Sequence, residues 1–340
     1  MVFFRADGNL ILGTGHVMRC LSFALALKEK GEEVRFITAD DSLKQLIESR
    51  GFADLVLGTD YTDMESELDI LDGLIREYHP DKIVVDSYYV TKQYLSNLNH
   101  KVSTAYIDDL MSFAYPVDVL INYNVYADEN VYRDLYKQEM VKEPLMVLGP
   151  KYAPLRKEFS NVYDSRIRTI AEDVLILTGG SDSLHVAMGI ADIIRRRNSK
   201  IRYHFVVGAL SPDKEKLERI SASCKNIIVH CNVTDMKRLM CSCDVAVSAA
   251  GSTQYELCAC AIPVINYVLA DNQIPGAEGF EQKGIMLYAG DVRTEKDFFG
   301  KICNMVDSLI KDYKKRLDLS KKAKALVDGN GAERLSEIFL

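Results

Sequence analysis

The sequence predicts two consecutive doubly wound α/β domains, each a parallel sheet with helices on both faces. Three observations lead there. Short apolar runs rich in β-branched and aromatic residues alternate with segments of helical periodicity along the whole chain. The alternation halts at Gly149-Pro-Lys-Tyr-Ala-Pro-Leu-Arg156, where two prolines and a glycine break the pattern, and then restarts. Polar side chains gather at the carboxyl ends of the predicted strands, where sheets of this kind bind ligands. The seam divides the chain into domains 1–155 and 156–340, expected to face each other across a cleft.

In the first domain, Met1–Phe4 begins a strand and His16–Lys30 a helix, followed by a strand at Glu33–Thr38. Asp41–Arg50 is an amphipathic helix stopped by Gly51. Phe52–Leu57 is a short strand, and Met64–Tyr78 a helix closed by His79-Pro80. Lys82–Asp86 is an apolar strand ending on a carboxylate, Thr91–Leu98 a helix, Lys101–Ile107 a strand, and Val117–Asn122 the last strand of this half. Asp7, Asp86, Tyr88, Asp108, Asp109 and Asn122 all fall at strand ends. In the second domain, strands are expected at Asp173–Thr178, Lys200–Val207, Asn226–His230, Val245–Val247 and Pro263–Val268. Helices are expected at Leu184–Arg197, Lys214–Cys224, Met236–Cys241 and from Gly251 to Cys260. The charged stretch Lys296–Leu340 reads as helical.

Composition excludes several classes of function. The 340 residues carry a net charge of −7 with acids and bases intermixed, so no basic footprint for nucleic acid exists. No run of apolar residues is long enough to span a membrane. The N-terminus lacks the charged and apolar regions of a secretory signal, which points to the cytoplasm. The eight cysteines do not form zinc-like pairs of pairs. Cys241-Ser-Cys243 and Cys258-Ala-Cys260 read as small buried thiols, reduced in that compartment. No metal or cofactor is implied, and oligomeric state is not legible.

Chemistry centres on Arg5-Ala-Asp7-Gly-Asn-Leu-Ile-Leu-Gly13-Thr-Gly15-His16. Gly13 and Gly15 let the backbone bend tightly and approach a ligand, and the following helix turns free amides toward an anion. His16, with an ordinary pKa of about 6.5, stands at the mouth of that bend as a proton acceptor. The stretch is neither a dinucleotide fingerprint, since Met18 replaces the third glycine, nor a nucleoside-triphosphate loop, since no Gly-Lys-Ser/Thr follows. Taken alone, it reads equally as a tight strand-to-helix turn capped by a histidine. The second domain carries two further glycine turns, Gly179-Gly180-Ser181 and Gly251-Ser252-Thr253, a pair suited to a diphosphate. Glu256, one turn into the next helix, is spaced to accept both hydroxyls of a ribose. Glycine turns are also ordinary connectors in this fold class, and an early glutamate suits a helix dipole. His79, His100, His185, His204 and His230 read as satisfied or solvated; His185, beside the first glycine turn, is the one placed to touch a phosphate.

These motifs together resemble the hydrolase family of the pseudaminic acid pathway, which releases UDP from UDP-2,4-diacetamido-2,4,6-trideoxy-β-L-altropyranose. The likeness rests on Arg5-Ala-Asp7, Gly-Thr-Gly-His16-Val-Met-Arg-Cys, Val-Val-Asp86-Ser-Tyr88, Ile-Asp108-Asp109-Leu and Gly149–Arg156. It continues in Leu-Thr-Gly179-Gly180-Ser181-Asp182, Ala-Ala-Gly251-Ser-Thr-Gln-Tyr-Glu256 and Ala-Asp-Asn272-Gln273. The last two are also similar to the nucleotide-sugar half of the peptidoglycan N-acetylglucosaminyltransferase. The resemblance implies a GT-B architecture and metal-independent, inverting hydrolysis of a UDP-sugar with His16 as general base. It also implies a second domain that holds UDP through Gly179, Gly180, Ser252, Thr253 and Glu256, with Asn272 and Gln273 at the sugar or diphosphate. Either Asp7 or Asp86 is then the carboxylate that orients His16. Arg5 serves the substrate or is the ion-pair partner of Asp7, Tyr88 is a polar wall for the sugar, and Asp109 is a candidate substrate contact, although the Asp108-Asp109 pair also reads as strand-end caps. The alternative activity is transfer of the sugar to an acceptor by a GT-B glycosyltransferase. No basic amphipathic stretch of the kind that docks a membrane-bound acceptor is evident.

Overall fold

The computed structural model describes residues 1–9, 12–162, 167–197, 199–208 and 211–340. Leu10 and Ile11 of the predicted bend therefore lie outside the described residues. Within those described, the chain forms two compact units, residues 1–157 with 330–340, and residues 158–329.

The first unit is built on seven parallel strands. They are β1 (Val2–Ala6), β2 (Val34–Thr38), β3 (Ala53–Val56), β4 (Lys82–Asp86), β5 (Ser103–Ile107), β6 (Val119–Asn122) and β7 (Leu145–Leu148). Their order is β3-β2-β1-β4-β5-β6-β7, so the direction of winding reverses between β1 and β4. The crossing helices are α1 (Gly15–Glu29), α2 (Lys44–Ser49), α3 (Leu68–Tyr78), α4 (Lys92–Asn99) and α5 (Glu129–Glu139). Burial on both faces explains the apolar runs Val2–Phe4 in β1 and Ile83–Val85 in β4. Successive side chains alternate between faces: Phe3, Ile83 and Val85 join Leu71, Tyr94, Leu95 and Leu98 of α3 and α4. Phe4 meets Phe23 of α1 and Phe36 of β2 on the other face.

The second unit repeats the plan with β8 (Asp173–Leu177), β9 (Arg202–Val207), β10 (Ile227–Cys231), β11 (Val245–Ala249), β12 (Val264–Val268) and β13 (Leu287–Asp291). Their order is β10-β9-β8-β11-β12-β13, again reversing between the first and fourth strands of the series. Its helices are α6 (Val186–Ile194), α7 (Lys214–Ser223), α8 (Met236–Ser242), α9 (Thr253–Ala259), α10 (Ile274–Gln282), α11 (Phe298–Lys311) and α12 (Tyr313–Leu326).

Four features depart from the sequence expectation. The half that was to end at β6 continues through α5 to a further parallel strand, β7, paired with β6. β13 extends the second sheet beyond β12. The first turn of the Met64–Tyr78 helix is a 3-10 turn over Met64–Glu67. The domain assignment needs the largest correction: the final helix, α13 (Gly331–Phe339), belongs to the first unit. Its apolar stripe, Leu335 with Phe339, is buried, and Phe339 packs edge-on against Phe23 of α1 at 4.9 Å. Hydrophobic burial outranks sequence order here.

One polar network in the first core fixes the start of α3. Arg5 has no exposed surface. It donates to Glu67 through Nε at 2.8 Å and Nη2 at 2.7 Å, and to Asp7 through Nη1 at 2.5 Å. Tyr94 donates to Glu67 at 2.6 Å. Removing one partner of a buried ion pair leaves an uncompensated charge, at a cost of about 3–5 kcal/mol. Glu67→Ala is therefore expected to lower the stability of the first unit by that amount in urea unfolding followed by circular dichroism. A loss below about 1 kcal/mol, typical of a surface pair, would contradict this.

Candidate functional site

Each sheet has one place where its winding reverses, and α/β sheets bind ligands beyond the strand ends at such points. The residues singled out in the sequence flank both. In the first unit His16 opens the helix that follows β1, and Asp86 ends the neighbouring strand β4, in register with Ala6.

The bend before His16 is held by the backbone amide of Gly13, which donates to the Asn9 carbonyl at 2.8 Å. Gly13 has φ of +74°, a conformation that side chains with a Cβ rarely adopt. Gly15 has ordinary φ, and a Cβ built there would meet no described atom within 4 Å.

His16 is nearly buried, with its Nδ1 2.8 Å from Asp86 Oδ1. A proton on Nδ1 shared with that carboxylate leaves the Nε2 lone pair available as a base. Tyr88 lies edge-on to the imidazole at 4.6 Å between ring centres, and its hydroxyl donates to Asp109 at 3.1 Å. Burial opposes protonation of His16, but the Asp86 carboxylate outweighs it and raises the imidazole above its ordinary value; Arg19 works against the rise. Burial would push Asp86 up, yet Arg19 and His16 hold it well below the usual carboxylate range. Burial and Asp109 raise the Tyr88 phenol, so it stays protonated.

Two of the sequence alternatives are separated by the pleat of the sheet. Arg5 shares a face with Phe3 and Val85 and meets Glu67 and Tyr94, whereas Asp86 meets His16, Arg19 and Cys20 of α1 on the opposite face. Asp7 accepts from Arg5 and from the Ala39 amide at 2.7 Å. Of the two candidate carboxylates it is thus Asp86 that pairs with His16, and Arg5 and Asp7 form the structural ion pair. Asp108 caps its loop, accepting from the amides of Leu110 and Met111 and from the hydroxyls of Tyr115 and Tyr132. Asp109 joins the site.

Arg19 was not singled out in the sequence, although it lies one turn after His16 on the same helical face. Its guanidinium grips Asp86 through Nε at 2.6 Å and Nη2 at 2.5 Å, and reaches Asp109 at 2.9 Å and the Tyr123 hydroxyl at 2.8 Å. Asn124 donates to Asp109 at 2.7 Å. Among the described residues no group of three or more histidine, cysteine or acidic side chains could hold a metal ion.

In the second unit, Gly179-Gly180-Ser181 follows β8 and Gly251-Ser252-Thr253 follows β11, on either side of the reversal. A Cβ on Gly179, Gly180 or Gly251 would meet no described atom within 4 Å. Gly208 is the glycine that packing demands: a Cβ there would stand 2.0 Å from the Gly180 carbonyl oxygen. The amides of Val186 and Ala187 at the start of α6 are taken by Asp182, at 2.9 and 3.0 Å. That helix end is therefore capped from within, and its turn presents the segment 179–181. Ser252 is exposed, and Thr253 and Glu256 are half-buried in the first turn of α9. Asn272 is exposed, while the Gln273 side-chain oxygen accepts from the Leu269 amide at 2.9 Å, which leaves its amino group for other contacts. His185 pairs with Asp213, and His204 lies 3.0 Å from His230 and 2.9 Å from Asp173.

Solved structures share this architecture. MurG of Acinetobacter baumannii superposes with a TM-score of 0.71 over 99% of this chain and 98% of that one, at 12% identity. The chain has the GT-B fold. The spinosyn rhamnosyltransferase SpnG superposes at 0.64 over the full length of both chains, at 13% identity. No protein-family model matches the chain. Among curated proteins, an uncharacterized protein of Methanocaldococcus jannaschii is 25% identical over 79% of this chain and 55% of its own length. The spore coat polysaccharide biosynthesis protein SpsG of Bacillus subtilis is 24% identical over 98% of this chain and 96% of its own. The Helicobacter pylori pseudaminic acid cytidylyltransferase and UDP-2,4-diacetamido-2,4,6-trideoxy-β-L-altropyranose hydrolase is 24% identical over 86% of this chain and 49% of its own. The chain thus spans about half the length of the first and third of these relatives. No described helix is long and apolar enough to cross a membrane.

Asp86 raises His16, so Asp86→Asn is expected to bring the imidazole down toward or below about 6.5. Titration of the His16 ring by NMR checks this, with the wild-type midpoint expected above that value. Equal midpoints in the two proteins would remove Asp86 as the controlling charge.

Proposed function

We propose that the chain is a cytoplasmic enzyme that hydrolyses a UDP-2,4-diacetamido-2,4,6-trideoxyhexose to UDP and the free sugar, as a step toward a nonulosonic acid. The observation that carries the reading is the Asp86–His16 pair at the reversal point of the first sheet, which leaves the lone pair of the imidazole on Nε2. The name of the Helicobacter pylori relative supports the substrate class.

In the proposed reaction Asp86 holds the Nδ1 proton of His16, and Nε2 removes a proton from water as its oxygen attacks the anomeric carbon. The bond from that carbon to the diphosphate oxygen breaks on the opposite face, so configuration inverts and the electron pair leaves on UDP. A diphosphate is already a good leaving group, so the demand is to meet its charge with fixed dipoles. Gly179, Gly180, Ser181, Gly251, Ser252 and Thr253 supply backbone and hydroxyl groups for that purpose. Glu256 takes the ribose hydroxyls, and Asn272 with Gln273 the sugar or diphosphate. Asp109 and Tyr88 form the wall beside the imidazole. No metal ion takes part. Transfer to an acceptor hydroxyl in place of water is the second reading, favoured by the likeness to transferase structures.

The deciding assay is release of UDP from UDP-2,4-diacetamido-2,4,6-trideoxy-β-L-altropyranose with EDTA and no acceptor. Release is expected in the wild type, with kcat lower by about 100- to 10,000-fold in His16→Ala, the range for loss of a general base. Equal rates would remove His16 from the chemistry, and release only with an acceptor would make the protein a transferase. Glu256→Ala is expected to weaken UDP binding in calorimetry by roughly tenfold or more, as loss of hydrogen bonds to a charged group does. An unchanged dissociation constant would take Glu256 off the ribose.

A further inference from the structure

Arg19 has no place in the proposed reaction as written, yet it is the most heavily bonded side chain of the first-unit site. It reaches the ends of three successive strands at once: Asp86 closing β4, Asp109 after β5 and Tyr123 after β6. Both Asp86 oxygens are engaged by it, and the one bonded to Nη2, Oδ1, is also the oxygen 2.8 Å from His16 Nδ1. The Cys20 thiol completes the surroundings of Oδ2 at 3.5 Å.

We propose that Arg19 is a positioning residue for the base: it fixes the plane of the Asp86 carboxylate so that Oδ1 faces His16, and by sharing that oxygen it limits how firmly the imidazole keeps a proton. The proposal rests on the reading of His16 as the base. A bidentate guanidinium–carboxylate pair sets orientation in a way a single point charge does not. The charged and titratable groups around His16 are Asp86 at the end of β4, Arg19 and Cys20 on its own helix, Tyr88 and Asp109 in the loops after β4 and β5, and Tyr123 after β6. Of these Arg19 alone is a cation, and its presence lowers His16 while Asp86 and Asp109 raise it. An unshared Asp86 would hold the imidazolium after the proton is taken and slow its return to the neutral form.

Two substitutions separate charge from geometry. Arg19→Met removes both, so the acid limb of kcat/KM for UDP release, and the NMR midpoint of His16, should move up by about one pH unit or more, the direction opposite to Asp86→Asn. Arg19→Lys keeps the charge without the fork. Its midpoint should stay near that of the wild type, while kcat on the plateau falls by about tenfold and KM changes little. A group that only braces the fold would not shift the two variants differently. A His16 midpoint unmoved in Arg19→Met, or a plateau kcat unchanged in Arg19→Lys, overturns the proposal. If Arg19→Met does not fold, the Arg19→Lys plateau decides. Should His16→Ala retain full activity, the base reading fails, and the NMR midpoints still report whether Arg19 governs His16.

Discussion

A carboxylate with no exposed surface, at the end of the central strand of the first sheet, constrains everything around it. Asp86 is placed there by the pleat: Ile83 and Val85 go to the α3–α4 core, and Val84 and Asp86 go to the α1 side. A lone buried charge would neutralise or unfold its surroundings. α1 answers with two groups one helical turn apart, His16 and Arg19, and so the helix must begin at Gly15 and the bend must close on Asn9. The positive φ of Gly13 follows from that closure. The opposite face solves the same problem with a separate network, in which Arg5 is neutralised by Glu67 and Asp7. Two charged networks thus sit back to back across one strand pair without sharing a partner.

The second unit uses the same winding but treats its polar ends differently. Around its reversal point no buried histidine–carboxylate pair faces the glycine turns among the described residues. The first turn spends its own aspartate, Asp182, on capping α6, and Gly208 lets a neighbouring strand end come up against Gly180. What the turns themselves present outward is backbone and hydroxyl, a surface suited to binding an anion. The buried His16–Asp86 pair at one sheet and the exposed glycine turns at the other are what support the proposed hydrolysis of a sugar diphosphate.

Most of the architecture was legible because parallel sheets covered on both faces write long apolar runs. Lys82–Asp86 is bounded in the structure as in the sequence reading. The missed elements are those whose pattern is blurred. α5 buries tyrosines, Tyr132 and Tyr136, within Glu-Asn-Val-Tyr-Arg-Asp-Leu-Tyr-Lys-Gln-Glu, and polar composition hid its inner face. β7 is an edge strand with an exposed Leu145, and β13 is another edge strand, interrupted by Gly290. The return of α13 to the first unit depends on contact between Phe339 and Phe23, residues far apart in sequence, for which no local pattern exists. In the site, His16 and Asp86 were both identified, with Asp86 one of two candidate partners of the imidazole. Asp7 and Asp86 end adjacent strands, and only the face each serves separates them. The spacing of three between His16 and Arg19 was the available signal for the residue that went unnoticed.

Electrostatic balance bears on the proposed role of this pair as a base. With a neutral imidazole, the cluster of His16, Arg19, Asp86 and Asp109 carries one net negative charge in a nearly buried place. In the proposed step, taking a proton from water onto Nε2 removes that charge, so the cluster is neutralised instead of gaining charge. Without Arg19 the cluster with a neutral imidazole would be doubly negative, which favours the imidazolium. Without Asp86 the cation of Arg19 would oppose protonation outright. Asp86 and Arg19 act on the imidazole in opposite directions, and the shared Asp86 oxygen is where the two meet.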